Sequence, residues 1–580
     1  MGKSVRKFGY GVLTTTRLCA IGLLGAALAA CEGDVASSRA RQEPPGSNLP
    51  VQSGLAGRLT PAQHANIIRD ELGVELDALE LAAAGGGIPE EQPSTGLFRN
   101  GADGQAASDD YPLAFGRLAA VVAERVDMAQ LVATLTPCTD APATCERSFV
   151  AELGKRLFRR PLSEREIDAF SALHASVVAE GLSSEQAQRS VIEAMLQAPP
   201  FVFRLEQELS GPVGEKRYLD GFELASRLAF FLWDSTPDAE LLALAESGAL
   251  SGAPSALPVL REQVGRMLAD SRAQRMIREF VEDFAGTERA AFSGVTPELR
   301  KALLDSMVAS VEDHLWQRQG QIQGLFTTTT MRLDPSVATL IGLTPIGDGL
   351  QSYDLSASPQ RVGWLTHPGF VAGMGDVDVG KIVHRGITLM VKLMCRQPAQ
   401  LPDGLESTTA DFNTMFADLT ERQRSEQRRT MALPVEEGGS NNPTCWGCHS
   451  QFEPLAYGFD RFDAAGRYVG EVDAQGRPLP IDGWMTDDLS LDESAQPHYA
   501  DMAELMKLMA ESETVQACMA EHFIAFSTGR ASSAVEKTFA QPVHEAQARS
   551  GGTLPAMVEA VTTSELFRAL ASSGPAPEDP

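Results

Sequence analysis

Apolar residues recur three and four positions apart along almost the whole of residues 147–345. SEREIDAFSALHASVVAEG is one of several segments with this spacing, which is that of an amphipathic α-helix burying one face. Ser163 followed by Glu166 is a capping-box pattern at the start of one helix. The alternation of apolar and polar residues that marks a β-strand is nearly absent. The sequence therefore predicts a mostly α fold, in which the apolar cluster at 228–233 belongs to the core.

The length and texture of the chain predict how these helices are grouped. A chain of 580 residues exceeds what one hydrophobic core organises, so we expect two or three domains. After residue 347 the helical segments become short and alternate with loops, and the last hundred residues return to helical spacing. We expect an N-terminal multi-helix platform followed by a C-terminal α domain with long loops.

The first thirty residues have the three parts of an export signal. Basic residues precede an uncharged apolar run at 18–30, which is too short to span a bilayer as a stable helix. The run ends in L-A-A-C, with the cysteine at position 31, and this resembles the lipobox of bacterial lipoproteins. We expect cleavage before Cys31 and lipid on its thiol, and Glu32 favours the outer membrane as the destination. The alternative is an ordinary secretory signal with a coincidental cysteine.

Charge and hydropathy limit the partners of the remaining chain. The formal net charge is −28. The signal contains basic residues and no acidic ones, so its loss makes the remaining chain more negative. Such a field repels a phosphate backbone, so we expect no nucleic-acid partner. No stretch after the signal is apolar enough to cross a membrane, so the lipid is the expected membrane anchor.

The motif C-W-G-C-H at residues 445–449 is the most specific chemical signal in the chain. In an exported protein, C-x-x-C-H is the attachment pattern of a c-type haem. Two thiols on one helical turn can reach the two vinyl groups along one edge of the macrocycle, and the adjacent imidazole can bind the iron. We expect one covalent haem (heme c) attached through Cys445 and Cys448, with His449 as an axial ligand.

Three other uses of this motif stay open. A structural zinc site commonly takes four ligands as two close pairs, and the sequence has no second C-x-x-C. A thioredoxin-like dithiol lies between a strand and a helix, a context that the flanking loop and helix do not provide. The third alternative is a plain structural disulfide between the two cysteines.

The second axial ligand is less determined than the first. A c-type electron carrier usually adds Met or His. The candidates in plausible regions are Met374, Met485, His498, Met502, Met506, Met509 and His522. Met485 stands in the loop IDGWMTDD downstream of the motif, so it is the predicted distal ligand. The methionines at 502, 506 and 509 share a helix face, where core packing is their expected role and iron binding the alternative. A five-coordinate iron with an open side is a further alternative, and it would suit catalysis.

The remaining cysteines allow disulfides. One of the eight cysteines leaves with the signal and one takes lipid, so an even number remains in a compartment that permits disulfides. With the two motif cysteines bound to haem, the expected pairs are Cys138–Cys145 and Cys395–Cys518. The alternative for the second pair is two separate buried thiols.

Several segments resemble bacterial families of unknown function. CWGCHSQFEPLAYGFDRFDAAGRY resembles the signature of family 1588, in which C-x-x-C-H precedes a D-P-x-G-F-like segment and F-D-x-x-G-R. Glu453-Pro454 stands where Asp-Pro is usual, and K-I-V-H-R-G, which includes His384, stands where the family has S-P-x-x-R-G. Of the two alternatives for His384, an approach to the haem or a surface position, the surface position is expected, because a histidine next to an arginine at a helix start is more often a surface residue. The resemblance implies a cytochrome-c-like C-terminal part and a haem, and it implies no substrate.

Other segments resemble four families that accompany family 1588. They are RLTPAQHANIIRDELG (family 1587), LFRRPLSEREIDAF (1595), ELASRLAFFLWDSTPDAELLALA (1592), and FSTGR with TSELFR (1585). The predicted regions are a signal peptide at 1–30, a flexible tether at 31–57, and 1587-like (58–137), 1595-like (138–210), 1592-like (211–345), haem-binding 1588-like (346–480) and 1585-like (481–573) regions.

Together these features predict an exported, membrane-anchored haem lipoprotein. We expect it to transfer electrons in the periplasm or at the outer membrane, with a redox partner protein that the sequence does not identify. The alternatives are a haem enzyme of the peroxidase or oxygenase type, and a non-catalytic binding or structural protein of the cell surface. The sequence has no G-x-S-x-G, H-E-x-x-H or phosphate-loop motif, so it gives no support to those enzyme classes.

Overall fold

The computed structural model describes residues 56–76, 98–99, 111–135, 142–206, 215–286, 295–374, 381–398, 412, 414–430, 445–486, 493–529, 534–549 and 551–571. The predicted signal peptide, Cys31, nearly all of the predicted tether and Cys138 lie outside the described residues. The described residues are mostly α-helical with a few short two-stranded sheets, which confirms the predicted fold class. None of the described helices is long and apolar enough to cross a membrane.

The N-terminal part comprises short antiparallel strands and a group of helices. Its strands are Ala56–Arg58 (β1) and Phe203–Leu205 (β2), which pair with each other. Its described helices are Pro61–Leu72 (α1), Tyr111–Arg125 (α2), Met128–Thr134 (α3), Pro142–Phe158 (α4), Glu164–Ala179 (α5), Ser184–Gln197 (α6) and Pro199–Val202 (α7).

Capping residues next to α1 and α5 set where these helices begin or end. Thr60 and Gln63 form a reciprocal capping box at the start of α1, and the helix ends at Gly73, whose φ of 69° favours glycine. Ser163 and Glu166 form the predicted capping box at the start of α5. The apolar faces of α1, α2, α4 and α6 then meet in an N-terminal core, where Ile67, Val122, Leu153 and Ile192 are fully buried.

The C-terminal part contains the remaining described elements. Its helices are Gly221–Trp233 (α8), Ala239–Glu246 (α9), Leu257–Ala269 (α10), Gln274–Ala285 (α11), Pro297–Glu312 (α12), Gly324–Thr327 (α13), Pro335–Leu340 (α14), Pro368–Gly373 (α15), Lys381–Met394 (α16), Glu421–Thr430 (α17), Trp446–His449 (α18), Glu453–Ala456 (α19), Met502–Glu511 (α20), Glu513–Thr528 (α21), Ala534–Arg549 (α22), Leu554–Thr563 (α23) and Glu565–Arg568 (α24). Its strands are Lys216–Tyr218 (β3), Thr330–Leu333 (β4), Gln351–Asp354 (β5), Gly483–Trp484 (β6), His498–Tyr499 (β7) and Ala569–Ala571 (β8).

One large core joins helices from distant parts of this region. α8 supplies the apolar cluster predicted as core, with Trp233 fully buried and its indole Nε1 donating to the carbonyl of Met267 over 3.1 Å. On α11, the ring of Phe280 stacks on that of Phe523 with centroids 4.4 Å apart. Because α11 and α21 share this core, the 1592-like helices and the last hundred residues form one packed body.

Long-range pairings close this body. β3 pairs antiparallel with β8, which joins residues just before α8 to the last described residues. A disulfide joins Cys395, directly after α16, to Cys518 in α21. This is the pairing expected from the sequence. α16, fixed in this way, is the helix on which the C-x-x-C-H region packs.

Candidate functional site

The C-x-x-C-H motif forms one short helical turn, α18, with Cys445 at its N-terminal end. We call residues 445–449 the motif turn. The amides of Cys448 and His449 donate to the carbonyl of Cys445 over 3.3 and 3.1 Å. Cys445 is half-buried, Cys448 is exposed, and both are free thiols. Burial raises the pKa of the Cys445 thiol above its ordinary value.

Glu453 holds the imidazole of His449. The Nδ1 atom of His449 lies 2.7 Å from Oε1 of Glu453. An ionised carboxylate only accepts hydrogen bonds, so Nδ1 is the donor, and in the neutral imidazole the lone pair is then on Nε2. Within the described residues, Nε2 has no hydrogen-bond partner. It is therefore the atom that could bind a metal.

Side chains of α17 surround the Glu453 carboxylate. Arg428 donates from Nη1 to Oε1 over 2.7 Å, and the Ser425 hydroxyl donates to Oε2. Glu453 is 0% exposed and the side chain of Arg428 only 6% exposed. A buried carboxylate is costly unless it is paired and hydrogen-bonded, and these contacts supply both conditions.

Tyr457 extends this set of buried polar groups. Its hydroxyl lies 2.7 Å from the Ser425 oxygen, and because the one proton of Ser425 goes to Glu453, Tyr457 is the donor. Burial, together with the negative charge of Glu453, raises the pKa of Tyr457 to about 12, so the phenol keeps its proton. We call Ser425, Arg428, Glu453 and Tyr457 the Glu453 network. In it, Arg428 and Ser425 donate to the carboxylate that holds His449, and Tyr457 donates to Ser425.

Aromatic rings and a second carboxylate border the other side of the motif turn. The indole Nε1 of Trp446 donates to Glu493 over 2.8 Å, and the Arg429 guanidinium lies 4.3 Å from the Trp446 ring centroid. Arg429 also donates to Glu493 over 3.1 Å. The rings of Trp446 and Trp484 meet edge to face with centroids 6.2 Å apart. β6 therefore lies beside the motif turn.

The candidate distal ligands lie in different places. Met485 directly follows β6 and is buried, while its neighbour Thr486 donates from its hydroxyl to the carbonyl of Ser450 over 3.3 Å. The structure thus brings the segment that carries Met485 to the motif turn, and Met485 stays the predicted distal ligand. His498 is exposed, and its ring centroid lies 5.8 Å from that of Trp484. The other methionine candidates are buried in the core: Met374, Met502, Met506 and Met509.

Arg385 and Gly386 explain how α16 approaches the site. Arg385 donates to the carbonyls of Phe462 and Asp463 over 2.9 and 3.1 Å, which fixes the segment after Tyr457. A Cβ atom on Gly386 would lie 2.3 Å from the carbonyl oxygen of Phe452, so only glycine allows this approach. His384 is exposed on the same helix, in agreement with the surface alternative.

His522 belongs to a different cluster from the motif turn. Its Nε2 lies 3.3 Å from the sulfur of Cys518 and 2.9 Å from the carbonyl of Lys392. Cys395, Cys518 and His522 are close enough together to be metal ligands, but the two sulfurs are joined as a disulfide. Cys145 is also disulfide-bonded, whereas Cys138 lies outside the described residues, so their pairing stays a prediction.

The residues around the motif turn can be compared with those of a zinc site and of a thioredoxin-like dithiol. Among the described residues, the group at His522 is the only cluster of three or more potential metal ligands, and the cysteines of the motif turn are not part of it. The described sheets are antiparallel pairs of strands, which is not the setting of a thioredoxin dithiol. Two free thiols beside an imidazole with an available Nε2 form a donor set that fits a covalent haem.

Sequence reasoning missed the Glu453 network. The available signal was the four-residue spacing of His449 and Glu453, which places two side chains on one helix face. The contribution of α17 had no comparable signal, because Arg428 and Ser425 precede the motif by a stretch with no periodic pattern.

Four segments of the chain match families described as proteins of unknown function. Residues 145–206 match DUF1595, residues 219–343 match DUF1592, residues 361–471 match DUF1588 and residues 496–567 match DUF1585. No curated protein and no solved structure matches the chain. The predicted resemblance to these four families is confirmed, and the resemblance to family 1587 stays a prediction. The DUF1588 segment contains the motif turn and Glu453.

Proposed function

We propose that this chain is a cytochrome-c-like lipoprotein that carries one covalent haem and transfers electrons outside the cytoplasm. The observation that carries the proposal is the motif turn, in which two free thiols stand beside an imidazole whose Nδ1 is held and whose Nε2 is available. A bound haem supplies one-electron redox chemistry, whose potential depends on axial ligands, hydrogen bonds and burial.

Four residues of the site are proposed to hold the haem. Cys445 and Cys448 anchor the haem through thioether bonds, and His449 binds the iron. Met485 is the proposed second axial ligand, supported by the packing of its neighbours against the motif turn. Covalent attachment prevents loss of the cofactor in a dilute compartment.

A membrane anchor is part of the proposal. The L-A-A-C pattern that ends at Cys31 supports lipid attachment, and the proline- and glycine-rich residues after it would serve as a tether. Labelled palmitate should be incorporated into the unmodified protein, and Cys31→Ala should abolish labelling and release the protein from the membrane fraction. Labelling that survives this substitution would contradict the anchor.

A haem enzyme of the peroxidase type is the second candidate function. The observation that favours it is the contact between His449 and Glu453, since a carboxylate acceptor makes an imidazole a stronger donor to a metal. The two functions differ in the iron that they require. Electron transfer calls for a six-coordinate, low-spin iron, and catalysis calls for a high-spin iron with an open side.

Expression with a c-type maturation system tests the haem itself. The protein should stain for peroxidase activity in a denaturing gel, because thioether bonds survive denaturation. Cys445→Ala or Cys448→Ala should weaken the stain, and the double substitution should abolish it. A control outside the site is Ser163→Ala in the N-terminal core, which should keep the stain. Bound zinc without iron in the unmodified protein would contradict the proposal.

The absorption spectrum separates the two candidate functions. With Met485 bound to the iron, the oxidised protein should show the weak band near ~695 nm that is typical of methionine coordination. Met485→Ala should remove this band and leave the covalent haem in place. A high-spin spectrum of the unmodified protein would exclude Met485 as ligand and favour the enzyme.

A further inference from the structure

The contact between His449 and Glu453 has a consequence for the haem, which rests on the proposed function. We propose that Glu453 is a positioning residue: it fixes the His449 ring through Nδ1, strengthens Nε2 as a ligand to iron, and holds the reduction potential below that of a histidine bonded to a neutral acceptor. The ring is oriented before any haem arrives, because its partner is itself immobile.

The direction of the hydrogen bonds supports this role. Glu453 accepts from three donors, which are His449, Arg428 and Ser425. The Arg428 guanidinium has only donors, so it donates to the carboxylate. The Ser425 hydroxyl can also give its proton to the carboxylate, because Tyr457 donates to the Ser425 oxygen. Glu453 therefore holds the Nδ1–H of the imidazole, and in the neutral ring the lone pair is on Nε2.

Burial makes the contact effective. Glu453 is 0% exposed, so its carboxylate is shielded from water, whereas the side chain of His449 is 26% exposed. A hydrogen bond to a charge is stronger where the effective dielectric constant is low. Electron density drawn toward Nε2 stabilises ferric iron more than ferrous iron, which lowers the reduction potential.

Glu493 is a second carboxylate close to the motif turn, and it can be compared with Glu453. Glu493 accepts hydrogen bonds from Trp446 and Arg429, whereas the hydrogen bond of His449 goes to Glu453. Both glutamates carry the same charge, but only Glu453 is bonded to the proposed ligand. A general effect of charge on the haem would come from both, and an effect through the ligand from Glu453 alone.

The test is the midpoint potential of the matured full-length protein, with the iron–histidine stretching band of the ferrous protein, recorded after photolysis of carbon monoxide, as second readout. Glu453→Gln should raise the potential enough to change the reduction equilibrium at least tenfold, which is about 59 mV for a one-electron couple. It should also move the iron–histidine band to lower frequency. Glu453→Asp should restore part of both values, and Glu493→Gln should leave the band unchanged.

Ser425→Ala gives the opposite sign and does not depend on the folding of the glutamine variant. Removing one donor from Glu453 makes the carboxylate a stronger acceptor for Nδ1–H, so the potential should fall. A haem-loaded Glu453→Gln protein with both readouts unchanged would overturn the inference, as would equal shifts in Glu493→Gln or an unchanged or raised potential in Ser425→Ala. Absence of covalent haem from the unmodified protein would overturn the proposed function, and the inference with it.

Discussion

Between residues 56 and 206, the helices begin at residues that lie beside them in the sequence, whereas the motif turn is held by side chains from other segments. α1, α5 and α6 each start with a reciprocal capping box formed within four residues. The motif turn has no side-chain cap, and contacts with α17 and β6 fix its position. The N-terminal core thus depends on local signals followed by apolar packing, and the site on a few polar contacts between distant residues.

The two regions are sensitive to different kinds of substitution. Loss of one helix cap removes one hydrogen bond that water can replace, so the cost is small and local. Loss of one member of a buried polar network leaves its partner without compensation, and the cost is several times larger. Substitutions in the two regions should therefore differ in size and in the part of the molecule that responds. All five tryptophans lie at or after residue 233, so tryptophan fluorescence follows the C-terminal body selectively.

Removal of the Cys395–Cys518 disulfide should have the largest effect. The bond closes a loop with a sequence separation of 123 residues, and by the chain-entropy model such a loop stabilises the folded state by roughly 4–5 kcal/mol. Cys395→Ser with Cys518→Ser should lower the urea midpoint of the fluorescence transition by a corresponding amount. An unchanged midpoint would show that the C-terminal body does not depend on this link.

Arg428→Met should have the next largest effect, because it leaves the Glu453 carboxylate buried without its cationic partner. Removing one partner of a buried ion pair costs about 3–5 kcal/mol, and the fluorescence transition should record the loss. The control is Arg428→Met combined with Glu453→Gln, which removes both charges and should recover part of the stability. A single variant as stable as the unmodified protein would refute the importance of the pair.

The boundary between the two cores should respond to pH. Asp234 ends α8 with its side chain buried, and it accepts a hydrogen bond from Asn66 of α1 over 2.9 Å. Burial raises the pKa of Asp234 from 3.8 to about 7. The folded state therefore favours the protonated acid, and this contribution is present below about pH 4 and lost as the pH rises through 7, at up to ~1.4 kcal/mol per pH unit.

Asp234→Asn is the variant that tests this pH dependence. The amide cannot ionise, so the decline in the free energy of unfolding between about pH 4 and 7 should become shallower than in the unmodified protein. Denaturant titrations at a series of pH values measure the slope. An identical slope in the two proteins would exclude Asp234 as its source.

Ser163→Ala should have the smallest effect and should stay within the N-terminal core. Loss of this cap costs ~1 kcal/mol, and amide hydrogen exchange should increase in α5. Ser183→Ala is the matched variant, since Ser183 caps α6 by the same geometry. Haem attachment and the tryptophan fluorescence transition should be unchanged in both. A loss of haem in either variant would contradict the separation between the two regions.

The fold class could be predicted because helix periodicity and capping are local properties of the sequence. The Ser163–Glu166 cap and the buried cluster around Trp233 were both accessible in this way. Periodicity shows which face of a helix is buried but does not identify what covers it. For this reason the packing of Phe280 against Phe523 in one shared core was not predicted.

The candidate site was only partly predictable for the same reason. The spacing of the two cysteines and His449 fixes their chemistry wherever the turn lies in the fold. The burial of Glu453 beside Arg428 depends on the path of the chain between α17 and the motif turn, and no rule of spacing describes that path. The glycine at 386 illustrates the point, since its need becomes evident only from the carbonyl of Phe452 beside it.

The pairing of β3 with β8 sets the order in which the C-terminal body can be completed. From the first residue of β3, Lys216 donates to Glu565 over 2.7 Å, across a sequence separation of 349 residues. A contact between residues so far apart forms only after the chain between them has collapsed, which makes it a late event in folding. During synthesis, β3 cannot pair with β8 until the last segment has left the ribosome. For the exported lipoprotein proposed above, crossing the membrane unfolded would leave this pairing to form at the destination.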